Sequence, residues 1–490
     1  MDLRRATISG LAWSFIDSFA NQGLNFIIGI ILARLLTPGD FGLIGMLAIF
    51  MAISQSFIDS GFGSALVRKT DCTEKDYSTV FYYNLVISII LYFALFLSAP
   101  AISAFFVKPQ LMILVRVLGS VLIIESVTII QKTVLIKNIN FKLQTKISII
   151  ASIVSGAISI GMAFGGWGVW SLVYRLVIQN LCMSVLLWLW NTWRPRVLFS
   201  ATSFKELFGF GSKLLLSGLI DTTYKNIYYL IIGKVFSANE LGYYTRAQGF
   251  SMLPAQSLTD VIQRVSYPVL STLQASQERL KSVYKKLIKG TMLISFVLMI
   301  GMAAIAKPLV ITLIGEKWTP SVIYLQLLCF GAMLYPLHAL NLNILNVKGR
   351  SDLFLRLEII KKLLVIPTVV MGIFLGIKIM IIGMIVNSII AYFLNSFWSG
   401  KIVSYPFREQ IADIAPSFLI ALIIGAIVYV VGLLLFLPPA IALAIETTLG
   451  ILFFWIATKI TKIDSFVEIK GIIKENVFTN FRKGTPHGEI

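Results

Sequence analysis

Residues 31–46 read ILARLLTPGDFGLIGM, and two hundred positions later residues 231–246 read IIGKVFSANELGYYTR. Without a gap, Arg34 meets Lys234, Thr37 meets Ser237, Asp40 meets Glu240 and Gly42 meets Gly242. Each block closes one apolar run and opens the next, so both describe the same tight turn. Thr37 or Ser237 is placed to cap the helix that follows, and Asp40 or Glu240 puts a carboxylate in its first turn, where the helix dipole favours negative charge. At the same offset Asn21 meets Asp221 and Asn25 meets Lys225. With one residue of slip, Gln55 and Asp59 meet Gln256 and Asp260, each pair spaced i,i+4 along one helix face. The chain is an internal duplication, and the duplication organises everything around it.

The runs that these turns connect are apolar. Of 490 residues, 57% are hydrophobic and 13% charged, with a mean hydropathy of +0.85. A soluble domain carries about 25% charged residues, so a typical soluble enzyme is excluded, and the apolar content excludes disorder. Fourteen segments are expected to be membrane helices: 11–34, 41–64, 78–99, 110–131, 144–165, 168–191, 208–233, 241–263, 290–314, 320–346, 353–376, 379–400, 412–436 and 438–458. Most are long enough to cross a ~30 Å hydrocarbon core at ~1.5 Å per residue. No strand alternation is present to suggest a β-barrel. The first run follows Arg4 and Arg5 but is long, polar in places and without a clear cleavage site, so it reads as an uncleaved span rather than a signal peptide. The fold class is therefore all-α and polytopic: two parallel pseudo-symmetric six-helix bundles plus two further helices. The expected divisions are 1–192 for the first bundle, 193–207 for a cytoplasmic linker, 208–403 for the second bundle, 404–460 for the added pair and 461–490 for a basic tail.

The net charge of +19 comes from 42 Lys and Arg against 23 Asp and Glu. In a soluble chain it would suggest nucleic acid. Here 32 of the 42 lie on one set of segment ends and eight on the other, while Arg175 and Lys225 fall inside segments. That asymmetry puts both termini in the cytoplasm and removes the need for a nucleic-acid partner. The tail contacts at most anionic lipid headgroups. Cys72, Cys182 and Cys329 and two histidines build neither a disulfide framework nor a metal site. There is no phosphate-binding loop for ATP hydrolysis, no Asp-x-Asp metal motif and no large outward loop, so neither an enzyme nor a cofactor is expected.

A repeat with an even number of spans gives parallel halves related by an axis along the membrane normal, an arrangement typical of alternating-access carriers. The stretch LAWSFIDSFANQGLNFIIGIILARLLTPGDFGLIGML (11–47) resembles the first-helix-pair signature of polysaccharide exporters in the multidrug/oligosaccharidyl-lipid/polysaccharide superfamily, the Wzx-type flippases, and within them the colanic-acid-exporter-like branch. SANELGYYTRAQGFSMLPAQSLTDVIQRVSYPVLS (237–271) resembles the matching start of the second half. The resemblance implies transfer of an undecaprenyl-pyrophosphate-linked oligosaccharide repeat unit from the cytoplasmic to the periplasmic leaflet of a bacterial inner membrane, for surface polysaccharide synthesis. Membrane lipids, and a polymerase or export machinery, are the implied partners.

Ionisable side chains within a span are costly and usually face a watery interior. Ser14, Asp17, Ser18, Asn21 and Asn25 make one polar stripe on the first span; Ser217, Asp221, Lys225 and Tyr228 make another on the seventh. The repeat makes the two equivalent, and they are expected to face each other across a central cavity; the plain alternative is helix–helix hydrogen bonding. Asp221 and Lys225, at i,i+4, are spaced to neutralise each other. For a diphosphate head the available cations are Lys225, Arg246, Arg116 and Arg175, with Asn21 and Asn25 beside them and Tyr228, Tyr243 and Tyr244 as rings for sugars. Asp17 and Asp221 are candidates for a coupling cation or proton. Asp59, Asp260 and Arg264 are candidates for a cytoplasmic gate, with Asp59 and Asp260 pairing to Arg264 or Arg68; the plain alternative is simple helix-end charges. Pro336 is expected to break its helix, and His338 reads as a structural hydrogen-bonder.

Two alternatives belong to the same superfamily: a cation-coupled multidrug or metabolite antiporter, with a smaller and more acidic pocket, and a peptidoglycan-precursor flippase. A membrane glycosyltransferase or polymerase lacks its motifs here. A flippase must keep a lipid tail in the bilayer, which calls for a lateral opening between spans 1 and 8. The charge split makes a direct prediction. Alkaline phosphatase fused after Lys108 should be active, and fused after Lys348 inactive; the reverse pattern would overturn the orientation.

Overall fold

The computed structural model describes residues 3–461, so the tail expected at 461–490 lies outside the described residues from position 462 on. Every regular element among the described residues is helical. The first half of the chain forms α1 (Leu3–Leu35), α2 (Pro38–Asp59), α3 (Phe62–Arg68), α4 (Glu74–Phe106), α5 (Gln110–Lys137), α6 (Phe141–Phe164), α7 (Val169–Trp190) and α8 (Ala201–Val235). The rest forms α9 (Ala238–Thr272), α10 (Gln277–Ala304), α11 (Ala306–Ile314), α12 (Ser321–Ala332), α13 (Tyr335–Val347), α14 (Ser351–Leu363), α15 (Val365–Leu375), α16 (Ile377–Val403), α17 (Phe407–Leu434) and α18 (Pro439–Thr461). Each of the fourteen expected segments falls on one helix or on two consecutive ones.

Three of the breaks have one cause. Ile305, Leu334 and Leu364 each interrupt the helix two or three residues before a proline, Pro308, Pro336 and Pro367. A proline ring displaces the carbonyl one turn back and offers no N–H, so the break comes just ahead of it, as expected for Pro336. Eleven membrane-crossing candidates, by length and composition, occur among the described residues. The expected segments outside that set lie on α8 and α9, which are long but polar, and on α14 and α15, which are short halves.

The chain divides into two compact units, Met1–Thr245 and Arg246–Ile490. The repeat and the packing divide it at different places, because α8 opens the second repeat yet packs in the first unit, against α2, α3 and α4. The connection before α8 explains this. The expected linker is pinned to its own unit: Asn191 donates to the Gln131 carbonyl at 3.2 Å, Trp193 Nε1 to Glu74 at 3.1 Å, and the Arg196 and Ser200 amides to the Ser78 and Thr79 hydroxyls, both at 3.0 Å. Lys69 then bridges Asp76 on α4 and Glu206 on α8 at 3.2 and 2.9 Å.

Within this unit the two repeat turns meet. The Thr37 hydroxyl accepts the Asp40 amide at 3.3 Å, and the Ser237 hydroxyl accepts the Glu240 amide at 3.1 Å, the same cap twice. A Cβ on Gly42 would collide with the Ala238 carbonyl, and one on Gly242 with the Pro38 carbonyl. Exchanging each residue for its partner two hundred positions away turns one contact into the other, which is the signature of a local twofold relation between the repeat turns.

In the second unit α17 is held to α10 by an ionic ladder. Lys281 and Lys285 reach Glu409 at 3.0 and 3.1 Å, and Lys285 and Lys289 reach Asp413 at 2.9 and 3.6 Å. The spacing is four on both helices, so the rungs stay in register. The Tyr405 hydroxyl donates to Asp413 at 2.7 Å. α18 then packs on α17 and α11.

The glycine contact is testable. Gly42→Ala drives a methyl into backbone that cannot retreat, an overpacking cost of about 1–3 kcal/mol or more. Less folded protein and a lower Tm in detergent are expected. Gly218→Ala, which meets nothing within 4 Å, should leave both unchanged; equal behaviour of the two would refute the contact.

Candidate functional site

The polar stripe of α1 is the centre of a hydrogen-bonded lattice with α6 and α7. Asp17 accepts from Asn21 Nδ2 at 2.7 Å and from the Ser148 hydroxyl at 2.5 Å. Asn21 Nδ2 also donates to Ser148 at 2.9 Å, and its Oδ1 accepts from Ser152 at 3.0 Å. Gln179 on α7 reaches Ser152 at 3.4 Å. One turn further along α1, Asn25 Oδ1 accepts from Arg175 Nη2 at 2.6 Å. All of the α1 members are half-buried, so the stripe is partly a packing interface and partly open.

Ser148, Ser152 and Gln179 are hydrogen-bonding partners of the stripe that sequence reasoning misses. Single hydroxyls and amides in apolar helices are common, and only their spacing of four on α6 (Ser148, Ser152) offers a faint signal. Arg175 carries more weight. It is half-buried inside a membrane span and forms no ion pair among the described residues. One of its five donors is used, which leaves a guanidinium without a counter-charge. Arg116 behaves similarly. It does not pair with Glu125 but stacks on Phe96 at 4.3 Å from the ring centroid, its Nε buried without a hydrogen-bond partner.

The second stripe differs. Lys225 is exposed and forms no ion pair among the described residues, so the expected neutralisation by Asp221 is not seen there; an exposed i,i+4 pair gains a lysine little. Asp221 is half-buried. Its neighbour Thr222 joins Ser56 of α2 at 3.0 Å between hydroxyls. Tyr228 is buried and Tyr244 fully so, the latter edge-on to Tyr229 at 6.0 Å. Neither ring presents a face to a sugar in this structure, because both fill helix packing; Tyr243 is half-buried.

Among the described residues the gate candidates are unpaired within their own units. Asp59 is exposed and makes no ion pair among the described residues, while Arg68 instead lies over the Phe210 ring at 4.6 Å. Asp59 is within electrostatic range of Glu125 on α5. In the second unit Asp260 is half-buried and Arg264 exposed, and the two are not paired. Arg246, half-buried, is the first residue of that unit. His338 takes the structural role: Nε2 lies 3.0 Å from the Ser388 hydroxyl and Nδ1 3.4 Å from Asn395 Nδ2. No group of three or more His, Cys, Asp or Glu suited to a metal occurs among the described residues.

Comparison with known proteins gives a consistent picture. A family described as "Polysaccharide biosynthesis protein" matches residues 31–323. The chain is 26% identical over 354 residues to the teichuronic acid biosynthesis protein TuaB of Bacillus subtilis, covering 72% of this chain and 73% of that one. It is 24% identical over 448 residues to the lipopolysaccharide biosynthesis protein WzxC of Escherichia coli, covering 89% of each. Among solved structures it is similar to the lipid II flippase MurJ in an inward closed conformation, with TM-score 0.76 and 15% identity over 93% of this chain and 99% of that one. At that identity the likeness speaks for the fold alone.

The lattice can be probed directly. Asn21→Leu removes donors from Asp17 and an acceptor from Ser152, and should lower stability by about 1–3 kcal/mol, read as a Tm shift in detergent. Gln179→Leu, at the weak 3.4 Å edge, should shift it far less. Equal shifts would show that Asn21 is not the hub.

Proposed function

We propose that this chain, which belongs to the polysaccharide biosynthesis protein family, is a flippase for an undecaprenyl-pyrophosphate-linked oligosaccharide. It moves the repeat unit from the cytoplasmic to the periplasmic leaflet by alternating access, as a carrier and not an enzyme. Relatives named for teichuronic acid and lipopolysaccharide biosynthesis support the polysaccharide substrate class. The observation that carries the mechanism is Arg175, a cation kept in a membrane span without an acid beside it. Such a charge is expensive unless something arrives to meet it, and a guanidinium fork suits phosphate oxygens.

On this reading Asn25 aims Arg175 and leaves most of its donors open. Lys225, Arg246 and Arg116 supply further positive charge, and Asn21 hydrogen-bonds the polar head. Asp17 and Asp221 serve as sites for a coupling cation or proton, and Asp59, Asp260 and Arg264 act at the cytoplasmic side. The protein works in a bacterial inner membrane with both termini in the cytoplasm and hands its product to polymerase or export machinery. The six-helix repeats 1–192 and 208–403 are the alternating elements, with the pair at 404–460 appended.

Mass spectrometry of lipid-linked oligosaccharides in a strain lacking the gene tests this. One undecaprenyl-pyrophosphate-linked species should accumulate facing the cytoplasm, and its mass names the glycan. Arg175→Ala should reproduce the accumulation with normal protein in the membrane, as should Lys225→Ala or Arg246→Ala. No accumulation, with the surface glycan unchanged and no second flippase present, would favour the small-molecule antiporter. Full export by all three variants would remove the phosphate clamp.

A further inference from the structure

Part of the half-helix α14 reverses the usual amphipathic pattern. Leu355, Ile359 and Leu363, four residues apart, are 60%, 51% and 59% exposed. The Lys361 and Glu358 side chains, which form an ion pair, are only 14% and 27% exposed. On a soluble helix the apolar stripe is covered and the charges face water. Here one apolar stripe faces out, as it does in lipid, while Glu358 and Lys361 turn toward the protein beside the buried Leu353 and Leu357; Asp352 and Arg356 stay exposed. The Ser351 end is aqueous: Arg350 forks onto Asp352 with two bonds of 2.9 Å and holds that exposed carboxyl down at about 2. At ~1.5 Å per residue Lys361 lies about 15 Å along the helix from that end.

The inner side is mixed: Leu353 and Leu357 pack on Leu345, and polar groups lie near Lys361. Lys361 is within electrostatic range of His338 on α13, and Tyr335 is within range of both Glu358 and Asp260. His338 already spends both ring nitrogens on Ser388 and Asn395, so it gives Lys361 no counter-charge. Just beyond Lys361 the helix breaks at Leu364, whose carbonyl accepts from Asn387 at 2.9 Å. Broken backbone at membrane depth is tolerated where it is buried in protein or lines a watery cavity. By sequence alone Lys361 counts among the segment-end lysines; its placement makes it an interior one.

We propose that Lys361 is an anion-binding residue for the pyrophosphate of the lipid-linked substrate, with Glu358 as its counter-ion while the site is empty. This rests on the flippase reading above. A pyrophosphate carries more negative charge than one carboxylate and offers several oxygens, so it outcompetes Glu358 for the lysine. The pair thereby keeps an interior lysine available without committing it.

The test uses the full chain in lipid nanodiscs and undecaprenyl pyrophosphate bearing no glycan. Lys361→Ala should weaken binding about tenfold or more, because it deletes a charge-assisted hydrogen bond to phosphate, while Lys361→Arg stays close to wild type. Glu358→Gln should bind at least as tightly as wild type. The exchange Glu358→Lys with Lys361→Glu restores an ion pair but moves the cation along the helix, so binding should stay weak. Wild-type binding by Lys361→Ala, or recovery in the exchange variant, would make the pair structural and overturn the proposal. Should Lys361→Ala fail to accumulate, the exchange variant decides alone. Absence of binding by the wild-type chain would instead bring down the flippase reading itself, and this proposal with it.

Discussion

Hydrocarbon offers no partner for an amide or a charge, and the architecture follows from that. Each segment must satisfy its own backbone, so the described residues are helix nearly throughout. The exceptions are tied down: the turns at Thr37 and Ser237 are closed by side-chain caps, and the Leu364 break gives its carbonyl to Asn387. The same scarcity acts on side chains. Asp17 takes two donors, and Glu409 and Asp413 are shared among three lysines. Against that background a cation left without an acid, such as Arg175, stands out as something the fold keeps for another purpose.

Much of the fold was legible because helix length and hydropathy are local properties. The repeat turns were legible in finer detail, since a cap needs only a hydroxyl and an amide three residues later. Packing was not legible. Nothing in the order of segments says that α8 leaves its own repeat to join the first unit; that depends on Ser78 and Thr79 taking up the backbone of the connecting strap. The ladder between α10 and α17 was equally hidden, because its charges sit more than a hundred residues apart in a set read as ordinary positive-inside residues.

The candidate site was legible as composition and not as geometry. The α1 stripe appears from spacing alone, but its partners on α6 and α7 are serines and a glutamine with no individual signal. Tyr244 reads as a ring for sugars and is fully buried, because an aromatic near a helix end serves packing or recognition equally well in one dimension. α14 erred the other way. Five charged residues within Asp352–Lys362 read as the polar end of a span, and only the direction of the side chains reveals that Glu358 and Lys361 point inward.

The repeat also clarifies how positive charge is distributed. Position 25 in the first repeat corresponds to position 225 in the second. The second repeat carries its cation there directly, as Lys225. The first carries Asn25, which has no charge but holds Arg175 of α7 at 2.6 Å. Each repeat therefore delivers one cation to the same register by a different route, one on the helix itself and one borrowed from a neighbour. On the proposed flippase reading, these two cations are the ones that meet the ligand's charge, and helix packing alone does not call for either.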